Sequence, residues 1–545
     1  MNMDPDIFRK ALAEFEGAVG PAHVKWRPEE IAPLAKATIP QPRRPGAVVY
    51  PGDSQEVEAV VRIAHRFGIP LWPCSKGRNW GYGSATPVEE GTVVLHLERL
   101  NRILEVNEEL AYAVIEPGVT YRQLREHLET HHPDLWCDCT DGTPHGSVLG
   151  NALDRGLGTT HYADHFGTLC GLEVILPSGE RLRTGGGGEN CQTWHTHKWG
   201  VGPYIEGLFS QSNFGVVVKA GVWLMPRPGS FVSFTFDLAR ADDLPVLVDT
   251  IRRLSLEGVI SSAVHLINDV VTLSVLAQYS PEQLKRYSRL PPEELARMRQ
   301  EYGVSDWSFG GGIQGRPSMV RAARRELRRA LSPLGRLVFM DDRLIGGIRV
   351  LLGWRKRPWL KGFIDSAVRV VTGKSPAMLE AAPEIHGVLK GIPSDYFVRH
   401  AYFKSPLPKP VESHPDRDDC GITWLAPVVP MTGEHVSRVV SLCKHYFDRD
   451  EFDFYVALLI QNPRSMIVLT GIFFRKDDAE QCKAAESLYQ ELSSAIAASG
   501  YQAYRVGTPG MRALAGNNPQ FHAFLKSLKN AADPGNLMAP GKYGL

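Results

Sequence analysis

The run Ser75-Lys76-Gly77-Arg78-Asn79-Trp80-Gly81-Tyr82-Gly83 puts two glycines, Gly77 and Gly81, into a polar turn directly after a predicted strand. Residues without a Cβ let backbone N–H groups come close to a phosphate. The run fits neither GxGxxG nor the P-loop with its Gly-Lys-Ser/Thr, so by itself it is an ordinary tight turn as readily as a cradle. A second permissive stretch, HGSVLGNALDRGLG at 145–158, offers another turn of the same size. The four glycines at 185–188 read as a flexible loop instead. Two phosphate-sized turns on one unit suit a dinucleotide. Metal chemistry finds little support: Cys137-Asp138-Cys139 lacks a second pair at zinc spacing, and His131-His132 and His195-Thr196-His197 are isolated.

The elements that would carry these turns can be read from period and punctuation. Ala47-Val48-Val49-Tyr50 predicts a strand stopped by Pro51-Gly52. Asp53 and Ser54 can cap a helix whose Val57, Val60, Val61 and Ala64 share one face, with Gly68 placed to end it. A strand near 69–74 then leads into the glycine-rich run. Thr120 with Gln123 has the pattern of a capping box. Leu172–Leu176 and Arg181–Arg183 flank a Pro-Ser-Gly hairpin turn, and 216–218 and 222–224 read as two further strands. Residues 227–230 look like a linker. From about 231 to 495 longer helical segments are expected, and turn-rich, strand-like character returns after 495. Two similar ends around a different middle predict one domain interrupted by another.

Composition agrees with a globular chain. Of 545 residues 43% are hydrophobic and 22% charged, and 61 Lys or Arg nearly balance 60 Asp or Glu. That balance points to no nucleic-acid partner. Aromatics interleaved with Arg and Lys at 354–361 have the composition of a nucleic-acid or membrane-surface binder, but the overall balance favours a solvated helix end. No apolar run is long enough to span a membrane, and the first residues do not read as a signal peptide. A cytoplasmic protein with eight free thiols is the expectation.

Several motifs, in order, resemble one family. VVYPGDSQEVEAVVRIAHRFGIPLWPCSKGRNWGYG, VIEPGVTYRQL, GSVLGNALDRGLGTT, GLFSQSNFG and the terminal DPGNLMAPGKYG are similar to the vanillyl-alcohol oxidase and 4-cresol dehydrogenase family, FAD-dependent enzymes of para-substituted phenols. The resemblance covers most of 40–228 and 495–545 and, more weakly, the middle. It implies an α+β fold with a two-part FAD-binding domain and an α+β cap. The implied division is an N-terminal helical segment at 1–40, the FAD-binding domain at 41–228, the cap or substrate domain at 229–495, and a C-terminal segment at 496–545 that completes the FAD domain and active site. It implies FAD contacts from Ser75, Gly77, Arg78, Asn79 and Gly81, then from Gly146, Ser147 and Asn151, with Gln211, Ser212 and Asn213 close to the cofactor or a subunit contact. A homodimer is expected, with a cytochrome or O2 as electron acceptor. The segments KWGVGPYIEGLFSQSNFG and YRVGT look nearer the dehydrogenase branch.

The resemblance also supplies a catalytic set. Tyr82, Tyr504 and Arg505 match positions that hold a phenolate. A phenol ionises near pH 10, so holding it as the anion at neutral pH needs about 4 kcal/mol of differential stabilisation. A guanidinium and two phenolic donors on one oxygen could provide this in a dry pocket. Hydride then leaves the side-chain carbon for the flavin, and a p-quinone methide results. Asp141 matches a carboxylate near the flavin that could take a proton from attacking water, although one extra residue separates it from Gly146-Ser147. Its other reading is the Asp of a tight Asp-Gly turn. Thr159 stands where the family's oxidases carry Tyr, a departure expected to alter the pocket wall. At the position of the oxidases' flavin-linking His stands Ile422, and the nearest upstream His is His414, so non-covalent FAD is expected. Alternative readings are a family member for a non-phenolic alcohol, or a flavin-binding protein without turnover.

Overall fold

A computed structural model describes residues 4–188, 190–516 and 518–545. Strand Ala47–Val49 is followed by helix Ser54–Phe67, where Asp53 accepts from the Glu56 amide at 2.8 Å and Gly68 turns left-handed at φ 65°. Both helix ends fall where the sequence predicts. The buried face, Val57, Val60, Val61, Ile63 and Ala64, shares one apolar cluster with Phe15 of helix Pro5–Val19. Strands Ala47–Val49 and Leu71–Cys74 flank Val93–His96 in parallel, with Val24–Lys25 as an antiparallel edge. The glycine-rich run leaves the carboxyl end of Leu71–Cys74, the end at which open α/β sheets place their ligands.

A second, antiparallel sheet has the order Ile103–Asn107, Tyr112–Ile115, Val216–Trp223, Leu169–Ile175, Arg181–Arg183. The Pro-Ser-Gly hairpin forms as expected, closed by the Gly179 amide on the Leu176 carbonyl at 2.8 Å. The two short strands expected at 216–224 are one strand, Val216–Trp223, whose register against Leu169–Ile175 shifts at 217–219 and 220–221. The capping box at Thr120 is only half made. Thr120 accepts from the Gln123 amide at 3.1 Å, but the Gln123 side chain donates to the Asn101 carbonyl instead.

The middle of the chain is α+β, as the resemblance implies, and richer in strand than its local sequence pattern suggests. It does carry helices, but they pack on a nine-stranded sheet. Its main order is Gly335–Met340, Ser230–Leu238, Trp307–Gly315, His265–Asn268, Tyr455–Asn462, Ser465–Arg475, Pro427–Pro430, Gln502–Ala503, and Cys420–Leu425 also pairs Ser465–Arg475. Strand Trp307–Gly315 was hidden by its own glycines. A Cβ on Gly311 would stand 2.8 Å from the Phe234 ring, so the glycine is where an aromatic of the next strand packs flat.

The region after 495 is not mainly strand-like. Helix Pro519–Ala532 forms there, with the Asn518 side chain capping the Phe521 amide. Its buried Lys529 pairs with Asp533 at 2.7 Å and donates to the carbonyls of Asn213 and Met538. Ala539 in turn donates to the Leu71 carbonyl, so the tail is sewn to the first sheet beside the glycine-rich run.

Candidate functional site

Between the two sheets of the first half, the tail and the middle region lies a cavity of roughly 340 Å³. Ser75, Gly77, Arg78, Asn79, Gly146, Ser147 and Asn151 line it, as do Tyr82, Asp141, Tyr504 and Arg505. Gly81 does not. Its amide donates to Thr38 Oγ1 at 2.7 Å, and a Cβ there would lie 2.0 Å from the Trp424 indole. Gly81 is therefore a packing glycine behind the loop. Gly77, at φ 64°, has the backbone shape that only glycine adopts cheaply.

Three of the expected cofactor contacts, Ser147, Asn151 and Asn79, spend their side chains on the protein, Asn79 on Asp154 and Arg505. Ser147 Oγ donates to the Pro117 carbonyl at 2.6 Å and accepts from the Gly150 amide at 2.8 Å, capping helix Val148–Leu153. Asn151 Oδ1 meets His165 Nδ1 at 2.6 Å. Other polar atoms remain without a protein partner although buried: Arg78 Nη1, Trp80 Nε1, Ser84 Oγ and Asn213 Oδ1. Buried polar groups of this kind are costly unless a ligand or water meets them. All four residues line the cavity. A glycine-shaped loop and unpartnered donors and acceptors along one cavity fit a dinucleotide.

Tyr82, Tyr504 and Arg505 are brought together from two stretches of chain. Arg505 is 9% exposed, and its guanidinium lies over the Tyr82 ring, 4.4 Å from the centroid. The YRVGT segment docks on the glycine-rich run through the Thr508 amide, which donates to the Tyr82 carbonyl at 2.9 Å. Close approach is possible because a Cβ on Gly83 would stand 2.4 Å from Thr508 Oγ1. Burial pushes the Tyr82 and Tyr504 phenols above the usual tyrosine range; the nearby phenols add to this at Tyr82, and Arg505 offsets only part. Both thus stay protonated donors at neutral pH. Burial opposes the Arg505 charge, but Asp154 together with the Tyr504, Tyr82 and Tyr543 phenols outweighs it, and the Arg505 pKa is raised.

Asp154 is the main residue that sequence reasoning missed. It follows helix Val148–Leu153, and its carboxylate takes Arg505 Nη2 at 3.0 Å, Asn79 Nδ2 at 3.1 Å and the Tyr543 hydroxyl at 3.5 Å. Gln211 bridges the backbone carbonyls of Asp154 and Tyr504, at 3.2 and 3.1 Å. The signal was present in NALDRG, yet nothing in its spacing reveals a partner 351 residues away.

Asp141 sits differently. Its side chain is 54% exposed, with Thr140 Oγ1 at 3.2 Å and His265 Nδ1 at 3.6 Å. Beyond it the middle region contributes aromatic wall: His400, Trp424 and Tyr455 line the cavity, with ring centroids 5.4–5.8 Å apart. Burial lowers His400 to about 4 despite the opposing pull of Asp141, so it is neutral at physiological pH. Ile422 is buried on the same wall, whereas His414 lies off it with Nδ1 on Asp416 at 2.8 Å. Thr159 is not on the wall either, contrary to expectation. Its hydroxyl donates to the Val388 carbonyl at 2.7 Å.

The two-part α+β base, the sheet-built cap and this cavity define an FAD-dependent flavoprotein. Comparison agrees: residues 45–185 match the FAD binding domain family model. Over the whole chain, the sequence is 37% identical to 1'-carboxy-chondrochloren decarboxylase of Chondromyces crocatus, covering 98% of that protein. It is 28% identical to the 4-cresol dehydrogenase [hydroxylating] flavoprotein subunit of Pseudomonas putida, covering 99% of this chain and 96% of that one. The structure of 4-ethylphenol oxidase from Gulosibacter chungangensis superposes with a TM-score of 0.87 at 29% identity, covering 100% of this chain and 98% of that one. The chain belongs to the vanillyl-alcohol oxidase and 4-cresol dehydrogenase family of FAD-dependent oxidoreductases.

Proposed function

We propose that the enzyme oxidises para-substituted phenols at the side-chain carbon next to the ring. The observation that carries this reading is the buried Arg505 guanidinium over the Tyr82 ring beside Tyr504, in the cavity wall. A cation and two protonated phenols in a cavity that also holds the aromatic wall of His400, Trp424 and Tyr455 suit a phenolate oxygen, and a sugar or simple alcohol offers no such anion. FAD, when bound, supplies the hydride acceptor. Tyr82, Tyr504 and Arg505 hold the substrate oxygen as the anion, which pushes electrons toward the para carbon and lets hydride leave the adjacent carbon. Asp141 takes the proton of water as it adds to the quinone methide. In this reading residues 41–228 and 496–545 hold FAD and 229–495 form the cap.

The relative named as a decarboxylase supports a second outcome at the same site. With a carboxylate one carbon further out, the quinone methide can lose CO2; the C–C bonding pair forms the new double bond and restores the phenolate. Anaerobic mixing with 4-alkylphenols and with 4-hydroxyphenylalkanoates tests both. Flavin bleaching by the phenols supports side-chain oxidation, and CO2 released in step with bleaching by the acids supports the second route. No bleaching by any 4-substituted phenol overturns the reading.

A further inference from the structure

Away from the cavity, consecutive helices Asp342–Arg355 and Pro358–Thr372 form a surface unlike the rest of the molecule. Arg355 ties them together through Asp365 at 2.6 Å. Arg336 of the edge strand Gly335–Met340 anchors the pair by donating to the Thr372 carbonyl at 2.8 Å. Ile345, Ile364 and Val368 face inward. The outward face is apolar as well. Trp359, Phe363, Val370 and Val371 are 74–85% exposed, and Val350 and Trp354 about half. Positions 359, 363 and 370 recur at helical spacing, which makes a stripe rather than scattered side chains.

The charge around this stripe is one-sided. Between Arg316 and Lys374 the chain has fifteen Lys or Arg against four Asp or Glu, in a protein of net charge +1. Nearby acids are already taken, Asp365 by Arg355 and Asp342 by Lys390 and His386. Among the described residues Arg343, Arg349, Lys356, Arg357, Lys361 and Arg369 are exposed and form no ion pair, and they interleave with the apolar side chains along the two helices. The overall charge balance, which favoured a solvated helix end, concealed this local excess.

We propose that these two helices seat the protein on the surface of an anionic lipid bilayer. Apolar side chains of an in-plane helix enter the headgroup–acyl boundary while its cations meet anionic headgroups. No helix of the described chain is long and apolar enough to cross a membrane, so the geometry is that of lying on the bilayer. A second copy is a poorer occupant, because a two-fold contact would press these cations against themselves. Nucleic acid would leave Val350, Val370 and Val371 without a role, since bases stack on aromatic rings.

The test uses the FAD-loaded full chain and vesicles of phosphatidylcholine, alone or with a third of the lipid as phosphatidylserine. Co-sedimentation should be on the order of tenfold tighter on the anionic vesicles, weaken with added salt, and shift tryptophan emission to the blue. Trp359→Ser with Phe363→Ser should weaken binding on the order of tenfold. Lys356→Glu, Arg357→Glu and Lys361→Glu together should abolish the preference for anionic lipid, with flavin content and melting temperature retained. If the aromatic variant loses its fold, the charge variant and the salt dependence of the wild type still decide. Equal or absent binding to both vesicles overturns the proposal. So does a dimer by light scattering that the Trp359 variant splits, or retention on duplex RNA without vesicle binding.

Discussion

Arg505 and Asp141 both face the cavity, yet the chain holds them in opposite ways. Arg505 is buried and fixed by Asp154 and by Asn79 and the Tyr82 ring of the glycine-rich run, two stretches far from it in sequence. Asp141 is about half exposed, and among the described residues its carboxylate meets Thr140 Oγ1 at 3.2 Å and His265 Nδ1 at 3.6 Å. Groups that must stabilise charge without reorganising work best when locked in advance. A group that exchanges a proton with water needs access to it. The phenolate end therefore reads as preorganised electrostatics and the Asp141 end as a place where water enters.

The largest effect expected concerns two buried histidines, His400 in the cavity wall and His96 behind it. Burial lowers both His96, close to Gly77, and His400 to about 4, with Glu98 and Asp141 respectively pulling the other way. A folded-state value below the unfolded value near 6.5 means the unfolded chain takes up the proton first. Stability is then full above about pH 6.5 and falls as the pH drops, by about 2 kcal/mol per histidine at pH 5. Urea unfolding of the holoprotein between these pH values checks this, and His400→Gln should remove its share. Stability that is flat to pH 5 would show that the histidines are not buried neutral.

At the locked end, Arg505→Ala should raise the barrier to flavin reduction by a 4-alkylphenol by roughly 2–4 kcal/mol, the scale of losing an oxyanion partner. Stopped-flow bleaching under nitrogen reads this, and a wild-type rate would remove Arg505 from the chemistry. Asp154→Asn should destabilise the fold by about 1–3 kcal/mol, since it leaves a buried guanidinium without its carboxylate. It should also lower the pH at which bound phenol ionises, because the Arg505 charge is no longer offset. An unchanged melting temperature and unchanged ionisation would mean that Asp154 does not set the charge of the site.

At the open end, Asp141→Asn should slow turnover by about ten- to a hundredfold, the lower reach of general-base catalysis, with FAD retained and bleaching little changed. That split between bleaching and turnover distinguishes a base for water from a turn residue, whose loss would leave both rates alone.

Local features were legible in the sequence. Asp53, Gly68 and the Pro-Ser-Gly hairpin act within a few residues of themselves, and the structure has them in place. The wall of His400, Trp424 and Tyr455 was not legible, because long-range sheet pairing brings it together. Gly81 misled for a related reason: its glycine requirement comes from Trp424, 343 positions along the chain, and not from a phosphate. The missing half of the Thr120 capping box shows the same competition, with Asn101 outbidding the local partner for Gln123.

The smallest effect is expected at His414, and a null result there is informative. A covalent flavin bond would need a side chain directed into the cavity where the family's oxidases have histidine, and that position is the alkyl wall residue Ile422. His414 Nδ1 is engaged by Asp416 at 2.8 Å, and its amide donates to the Tyr402 hydroxyl at 2.8 Å, so the residue is fixed within its own loop. His414→Ala should leave flavin content and absorbance unchanged. Acid precipitation of the wild type should release FAD into the supernatant. A yellow pellet would show a covalent bond, and the flavin-bearing peptide would locate it. A peptide containing His414 would mean that the loop moves onto the cavity in the holoprotein, whereas one containing His265 or His400, which already line the wall, would place the bond at the open end beside Asp141.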